Sequence, residues 1–223
     1  MPKLIDCEQK TREGFPTKEW LRARCGRITA SRLGDVMAYS GQAKKEGAEL
    51  KCRSDYRMEL VSERLTGLTA NHFVTNEMKW GAEQEELART VYEQSRNLLV
   101  WPVGFAIHPT MDFSGASPDG LVGDEGGIEI KCLTTANHLD IFRSGKVPQE
   151  YYDQMQWNMV CCERKTWDFV IFDSRLPERL QMKAIPVAYD EERVAALEVE
   201  VRKMDAEVRA TIEEFAPRKV VNA

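Results

Sequence analysis

The sequence predicts an α/β fold in which helices flank a central mixed β-sheet, built as a single domain over residues 1–223. Two observations lead to this prediction. Helical periodicity dominates before residue 97 and returns after residue 150, whereas residues 98–132 are dense in apolar and β-branched residues interrupted by turn signals. A chain of 223 residues is also long enough for one substantial core.

The first part of the chain is predicted to be helical. Apolar residues at helical spacing favour helices over residues 18–25, 29–37, 55–66 and 76–93. Thr29 or Ser31 stands where a hydroxyl could cap the second of them. Residues 40–51 are polar, rich in Gly and Lys, and without periodicity, so we expect a mobile loop there.

Strand segments follow over residues 98–107, 112–120 and 121–132, and the turn signals PDG (118–120) and DEGG (124–127) separate them. A helix over 150–162, strands over 167–173 and 180–187, and a long C-terminal helix over 190–215 complete the prediction. The last helix has an apolar seam at alternating three- and four-residue steps, which we interpret as a face on the domain's own core, with a coiled-coil interface as the alternative: Val194, Leu197, Val201, Met204 and Val208.

Composition narrows the function classes. No apolar run approaches the ~20 residues that a membrane-spanning helix needs, and the N-terminus lacks a signal-peptide pattern, so we expect a cytoplasmic protein without a membrane partner. The six cysteines form no C-x-x-C pair, which favours reduced, mostly buried thiols over a zinc site. A net charge of −5 argues against coating nucleic acid over the whole surface, but Lys and Arg are dense between residues 22 and 57, so a confined basic groove stays possible.

The residues best suited to catalysis lie around the predicted strand that ends in Ile128-Glu-Ile-Lys131. Side chains alternate along a strand, so Glu129 and Lys131 share one face while Ile128 and Ile130 point into apolar packing. The reversal at residues 124–127 brings Asp119 back alongside Glu129. Two carboxylates form an open oxygen cage of the kind Mg²⁺ prefers, and an ammonium beside them suits phosphodiester hydrolysis. A Glu-x-Lys pair on a strand is, however, more often a solvated face.

Further motifs accompany this group in a fixed order: WLRAR (20–24), ITAS (28–31), WG-x-x-x-E (80–85), SPDG (117–120), EIKC (129–132) and QMQ (154–156). Together they resemble the phage lambda exonuclease family of viral recombinases, in the PD-(D/E)XK nuclease superfamily. The resemblance covers residues 18–160 and implies a restriction-endonuclease-like fold.

The resemblance also implies roles for single residues. Asp119 and Glu129 would hold the metal with the main-chain carbonyl of Ile130, and Lys131 would position the attacking water. Glu85 matches a helix-borne acid near a second metal position, although Glu83 and Glu86 flank it.

Four further positions complete the implied site. Gln154 matches a glutamine that orders the centre, with Gln156 as its competitor. Arg24 matches the arginine that receives a 5′-phosphate, with Ser31 and Ser117 as hydrogen-bond donors, and Arg22 and Arg27 are its alternatives. Trp20 and Trp80 are interpreted as core aromatics.

As a member of such a family, the protein would be a Mg²⁺-dependent 5′→3′ exonuclease, with Mn²⁺ able to substitute. It would degrade one strand of linear double-stranded DNA as a homotrimeric ring, leaving a 3′ overhang for a single-strand annealing protein, in a bacterial cell that carries its phage or prophage. An endonuclease or structure-specific repair nuclease of the same superfamily is the first alternative, and a non-catalytic DNA-binding module is the second.

Overall fold

The structure, a computed structural model, describes residues 2–11, 14–41, 47–69 and 76–216. In these ranges the strands are β1 (Lys3–Ile5), β2 (Ile28–Thr29), β3 (Val100–Trp101), β4 (Phe105–Ile107), β5 (Ser114–Ala116), β6 (Gly120–Val122), β7 (Gly126–Lys131), β8 (Thr166–Phe172) and β9 (Met182–Ala188). The helices are α1 (Lys18–Arg24), α2 (Leu33–Val36), α3 (Lys51–Thr66), α4 (Asn76–Arg96), α5 (Thr135–Ser144), α6 (Gln149–Cys162), α7 (Glu178–Gln181) and α8 (Glu191–Glu214).

The predicted α/β class is confirmed, but the strands divide between two mixed sheets. The larger has the order β3-β6-β7-β8-β9, with β7 and β8 parallel, and the smaller has the order β1-β4-β5-β2. The single strand predicted over 98–107 is wrong. It breaks near Pro102, which has no N–H for a strand ladder, so β3 joins the larger sheet and β4 the smaller.

Helices cover both faces of the larger sheet. Ile128 and Ile130 of β7 pack with Val170 and Phe172 of β8 in a cluster that includes residues of α4. The alternate residues of β7 face α6, where Glu129 meets polar side chains. The period of two along β7 therefore separates an apolar face from a chemically active one, as the sequence predicted.

The C-terminal helix α8 lies on the domain's own core. All five residues of the predicted seam are buried, and four of them (Leu197, Val201, Met204 and Val208) belong to the main hydrophobic cluster, so that interpretation is confirmed. Arg53 of α3, 1% exposed, bonds to Glu207 of α8 at 2.7 Å and to Glu49 at 2.8 Å. This arginine therefore ties α3 to α8 and is not available to DNA; residues 42–46 of the predicted loop lie outside the described residues.

The helix predicted over residues 29–37 is wrong. Thr29 ends β2, Ala30–Arg32 form a 3₁₀ turn, and α2 has only four residues, with no side-chain cap at either helix start. The hydroxyls of Thr29 and Ser31 instead accept hydrogen bonds from Arg24. Hydrogen bonds from Arg24 to these hydroxyls therefore replace the helix-capping bonds that the sequence predicted.

Other departures are smaller. Helix α3 begins at Lys51, four residues earlier than predicted, and β1 and α5 had no counterpart in the prediction. All six cysteines are free thiols, but only Cys161 and Cys162 are buried and Cys52 is exposed, so the expectation of mostly buried thiols is wrong. Within the described ranges, no helix has the length and apolarity needed to cross a membrane.

Candidate active site

The turn before β6 and the strand β7 bring Asp119 and Glu129 together. Gly120 pairs with Ile128 across the antiparallel β6–β7 ladder, which places the preceding Asp119 level with Glu129. One carboxylate oxygen of Asp119, Oδ2, accepts a hydrogen bond of 2.6 Å from the main-chain N–H of Ile130. A Cβ at Gly120 would collide with a methyl group of Val100, so this position needs a glycine for the turn to close beside β3.

Glu129, only 2% exposed, is held by three side chains. Its Oε1 accepts from Nε2 of Gln154 at 2.7 Å and lies 2.7 Å from Nζ of Lys131, while its Oε2 accepts from Nδ2 of Asn158 at 2.9 Å. Lys131 also donates to Oε1 of Gln154 at 3.2 Å. A buried carboxylate with this many charge-assisted partners has one fixed orientation.

Two of these findings bear on the sequence predictions. Gln154, not Gln156, contacts the centre, because Gln156 is turned towards the main chain of Ala188 and Asp190. Asn158 was missed, although it follows Gln154 by four residues on α6 and so lies on the same helical face.

The surroundings of the centre shift the pKa values of Asp119 and Lys131. Burial, together with the nearby carboxylates of Glu129 and Glu85, raises the pKa of Asp119 well above its ordinary value. Burial alone would lower the pKa of Lys131, but Glu129 and Asp119 outweigh it and raise that pKa. Lys131 is therefore a permanent cation that donates hydrogen bonds and cannot accept a proton.

Glu85 reaches the same cleft from α4. The cleft has a volume of about 540 Å³ and is lined by Asp119 and Glu85 as well as by the N-terminal segment around Lys10. Oε2 of Glu85 lies 2.6 Å from Nζ of Lys10, and its Oε1 lies 3.9 Å from Arg89. Its neighbours Glu83 and Glu86 line the cleft too but are exposed.

The donor set suits a hard divalent cation. Within the described ranges, no three His, Cys, Asp or Glu side chains converge into a complete cage, and Mg²⁺ does not require one because it keeps waters and substrate oxygens in its shell. In the same ranges Oδ1 of Asp119 makes no hydrogen bond, and this carboxyl suffers repulsion from Glu129 and Glu85 that a cation would relieve. Asp119 and Glu129 therefore lie where they could hold such a cation, and the main-chain carbonyl of Ile130 stays a predicted third ligand.

A second site lies on the other side of the Ser117–Asp119 turn. The guanidinium of Arg24 donates to the hydroxyls of Ser117 at 3.2 Å, Thr29 at 3.3 Å and Ser31 at 3.4 Å. It also stacks on the ring of Trp20, 4.5 Å from the ring centroid.

Among the described residues, no carboxylate lies within ion-pairing distance of Arg24, and burial lowers its pKa. A half-buried cation that donates to hydroxyls could receive an anion, although the carboxylates of Glu59 and Glu63 also line the adjoining cavity. The adjoining cavity of about 180 Å³ is lined by Arg24, Thr29 and Arg32, among others.

The sequence analysis also named two alternative arginines and two tryptophans. Arg22 is exposed, and Arg27 is engaged with main-chain carbonyls of Asp112 and Ala23, so of the three arginines it is Arg24 that contacts Ser117 and Ser31. Trp20 is half-buried and donates its ring N–H to Ser117 at 2.8 Å, and Trp80 is half-buried under the guanidinium of Arg175. The interpretation of both tryptophans as core residues is wrong.

A carboxylate–lysine centre on a mixed sheet is an arrangement that suits a nuclease, and the comparisons with known proteins support this class. The profile of the YqaJ-like viral recombinase domain matches residues 19–165, and the chain belongs to this lambda exonuclease-like family. The family predicted from the motifs is thus confirmed.

Solved structures agree with this assignment. An alkaline exonuclease (LHK-Exo) from Laribacter hongkongensis is 41% identical with a TM-score of 0.80, covering 89% of this chain and 95% of its own. A structure of LHK-Exo in complex with dAMP matches at 40% identity with the same TM-score and coverage.

A phage-related exonuclease from Haemophilus somnus 129PT shares the fold, with 16% identity, a TM-score of 0.64, and coverage of 85% of this chain and 96% of that one. No curated protein matches the chain.

Proposed function

We propose that the protein is a Mg²⁺-dependent 5′→3′ exonuclease that degrades one strand of linear double-stranded DNA and leaves a 3′ single-stranded overhang. The family and the exonuclease relatives support a DNA exonuclease. That LHK-Exo has been solved with dAMP supports a deoxynucleotide as the product. The arrangement of the two sites supports the proposed polarity, and the carboxylates of the centre support the proposed metal dependence.

The observation that carries the proposal is the position of the two sites on one turn. Ser117 belongs to the anion pocket through Arg24, and Asp119, two residues later, belongs to the carboxylate–lysine centre. A terminal phosphate held at Arg24 would place the next phosphodiester of the same strand near Asp119. An enzyme that cuts inside a strand has no need of a pocket that ends the path of the DNA.

Each side chain then has a distinct task. Bound Mg²⁺ would supply an activated water and stabilise the charge that develops on the phosphodiester. Lys131 donates hydrogen bonds to the attacking water and the phosphate, which it can do because its ammonium does not lose its proton. Gln154 and Asn158 hold Glu129 in a single orientation, so no reorganisation is needed when substrate arrives.

The net charge of −5 is compatible with DNA binding if the basic groups face a central channel. We therefore propose a homotrimeric ring that retains the duplex, a single-strand annealing protein as the partner that takes over the overhang, and a phage or prophage origin. Sedimentation of the purified protein measures the assembly, and a mass of one or two subunits would contradict the ring.

Digestion of matched linear and covalently closed circular duplexes in Mg²⁺ tests the function. We expect the linear DNA to be degraded and the circle to stay intact, with no reaction in EDTA. Cutting of the circle at a comparable rate would instead support an endonuclease, and binding without degradation of either DNA would support a non-catalytic module.

A further inference from the structure

Lys10 is a cationic side chain in the active-site cleft that the sequence motifs do not include. It lies in the N-terminal segment, where it forms a bridge with Pro16. The adjacent Gln9 donates to the carbonyls of Val103 at 2.7 Å and Pro118 at 2.8 Å, on the wall of the cleft and on the turn that carries Asp119. The backbone at Lys10 is therefore fixed relative to the catalytic turn.

The side chain of Lys10 forms an ion pair with Glu85, which is 75 residues away in the sequence and on α4. Nζ of Lys10 donates to Oε2 of Glu85 at 2.6 Å. Glu85 lies near enough to Asp119 to raise the pKa of that carboxyl, and both residues line the same cleft. A cation that reaches Asp119 therefore enters the field of Glu85 as well.

Two lysines near Asp119 are each paired with a carboxylate, and Glu85 also lies 3.9 Å from Arg89. Lys131 is paired with Glu129 at 2.7 Å, and Lys10 is paired with Glu85. Asp119 bonds to a main-chain N–H and has no ammonium of its own among the described residues. Lys10 thus occupies a carboxylate that a divalent cation near Asp119 could otherwise use.

We propose that Lys10 is a displaceable counter-ion of Glu85, which competes with a divalent cation for that carboxylate and so sets the metal concentration that the centre requires. The proposal rests on the proposed function, because it takes the centre at Asp119 and Glu129 as the metal site. It adds a residue from a separate part of the chain to the control of that site.

The ion pair between Lys10 and Glu85 is weak enough for a divalent cation to displace it. The side chains of Lys10 and Glu85 are 38% and 21% exposed, and the ammonium of a lysine is a point charge on a flexible stem. An ion pair of this exposure contributes little free energy, so a divalent cation can displace it. Glu129 is 3% exposed and is held by Gln154 and Asn158 as well as by Lys131, so it has no such freedom.

Calorimetric titration of the DNA-free protein with MnCl₂ tests the proposal without measuring activity. We expect Lys10→Met to bind Mn²⁺ about two- to fivefold more tightly than the wild-type protein, which is the range that an exposed ion pair gives. Lys10→Gln should give the same isotherm as Lys10→Met. Lys18→Met, on the exposed side of α1, is the matched control and should leave the isotherm unchanged.

A double-mutant cycle separates competition for Glu85 from a general effect of charge. In the Glu85→Gln background, Lys10→Met should no longer change the affinity for Mn²⁺. Identical isotherms for wild type and Lys10→Met would overturn the proposal, as would a tightening that persists in the Glu85→Gln background. If the wild-type protein still bound Mn²⁺ and degraded linear DNA, the proposed function would survive that result, whereas a wild-type protein that did neither would overturn both.

Discussion

Replacing Arg24 by methionine is expected to remove the preference for 5′-phosphorylated ends without weakening the fold. In the protein alone, the guanidinium bonds to hydroxyls and has no acidic partner among the described residues, while burial disfavours its charged form. Methionine keeps an apolar side chain over Trp20 and removes the buried charge. We therefore expect the free energy of unfolding to stay the same or to rise.

The substitution should instead slow the degradation of DNA with phosphorylated ends. A hydrogen bond to a charged group contributes about 1.5–3 kcal/mol, so losing the contact between Arg24 and a terminal phosphate should slow degradation of phosphorylated ends by about 10- to 150-fold. Ends that carry a 5′-hydroxyl never make this contact and should change by less than about threefold. Because only the rate on phosphorylated ends falls strongly, the variant should lose the preference of the wild-type enzyme for those ends.

Single-turnover degradation of one linear duplex, prepared with either end, measures the rates, and urea unfolding measures stability. Arg27→Met is the matched control, because Arg27 lines the same cavity but bonds to the carbonyls of Asp112 at 2.8 Å and Ala23 at 2.6 Å. It should lose stability and keep the preference for phosphorylated ends. Equal loss on both kinds of end by Arg24→Met, or a large loss of its stability, would refute the assignment of the pocket.

Three further predictions concern the carboxylate–lysine centre. Lys131→Ala should lower the single-turnover rate at least ~100-fold while duplex binding, measured by fluorescence anisotropy in EDTA, stays within about threefold; an active variant would contradict the role of the ammonium. Asn158→Leu frees one oxygen of Glu129 and should reduce metal affinity or activity by about 10- to 100-fold with an unchanged circular dichroism spectrum, and wild-type activity would show that this contact does not orient Glu129. The pKa of Asp119 is higher in the folded than in the unfolded protein, so the stability that this carboxyl contributes is present below its unfolded pKa and is lost as pH rises through its folded-state pKa. The gain in Tm on adding Mg²⁺ should therefore grow as pH rises, and a gain that is independent of pH, or that persists in Asp119→Asn, would contradict this.

The centre of the site could be predicted from sequence because its geometry is local. Alternation along β7 fixes the shared face of Glu129 and Lys131, and the short reversal before Gly126 returns Asp119 to their level. Asn158 was missed although it lies one helical turn after Gln154, because an asparagine on a buried helix face carries no motif of its own.

The remaining features depend on contacts between distant segments. The pairing of Lys10 with Glu85 joins two parts of the chain that no periodicity connects. Thr29 and Ser31 were assigned to a helix cap because local rules consider only the neighbouring backbone, whereas Arg24 takes their hydroxyls. The division of the strands into two sheets likewise depends on tertiary packing around Pro102.

In the proposed function, the turn between Ser117 and Asp119 joins a pocket that binds the DNA end to the centre that cleaves it. A linear duplex with a recessed or flush 5′-phosphate, labelled at either the 5′ or the 3′ terminus of one strand, tests it most directly in the presence of Mg²⁺. We expect the 5′ label to be released first, as a mononucleotide, while the 3′ label stays in long DNA. Early release of the 3′ label, or release of the 5′ label in oligonucleotides of mixed length, would contradict it.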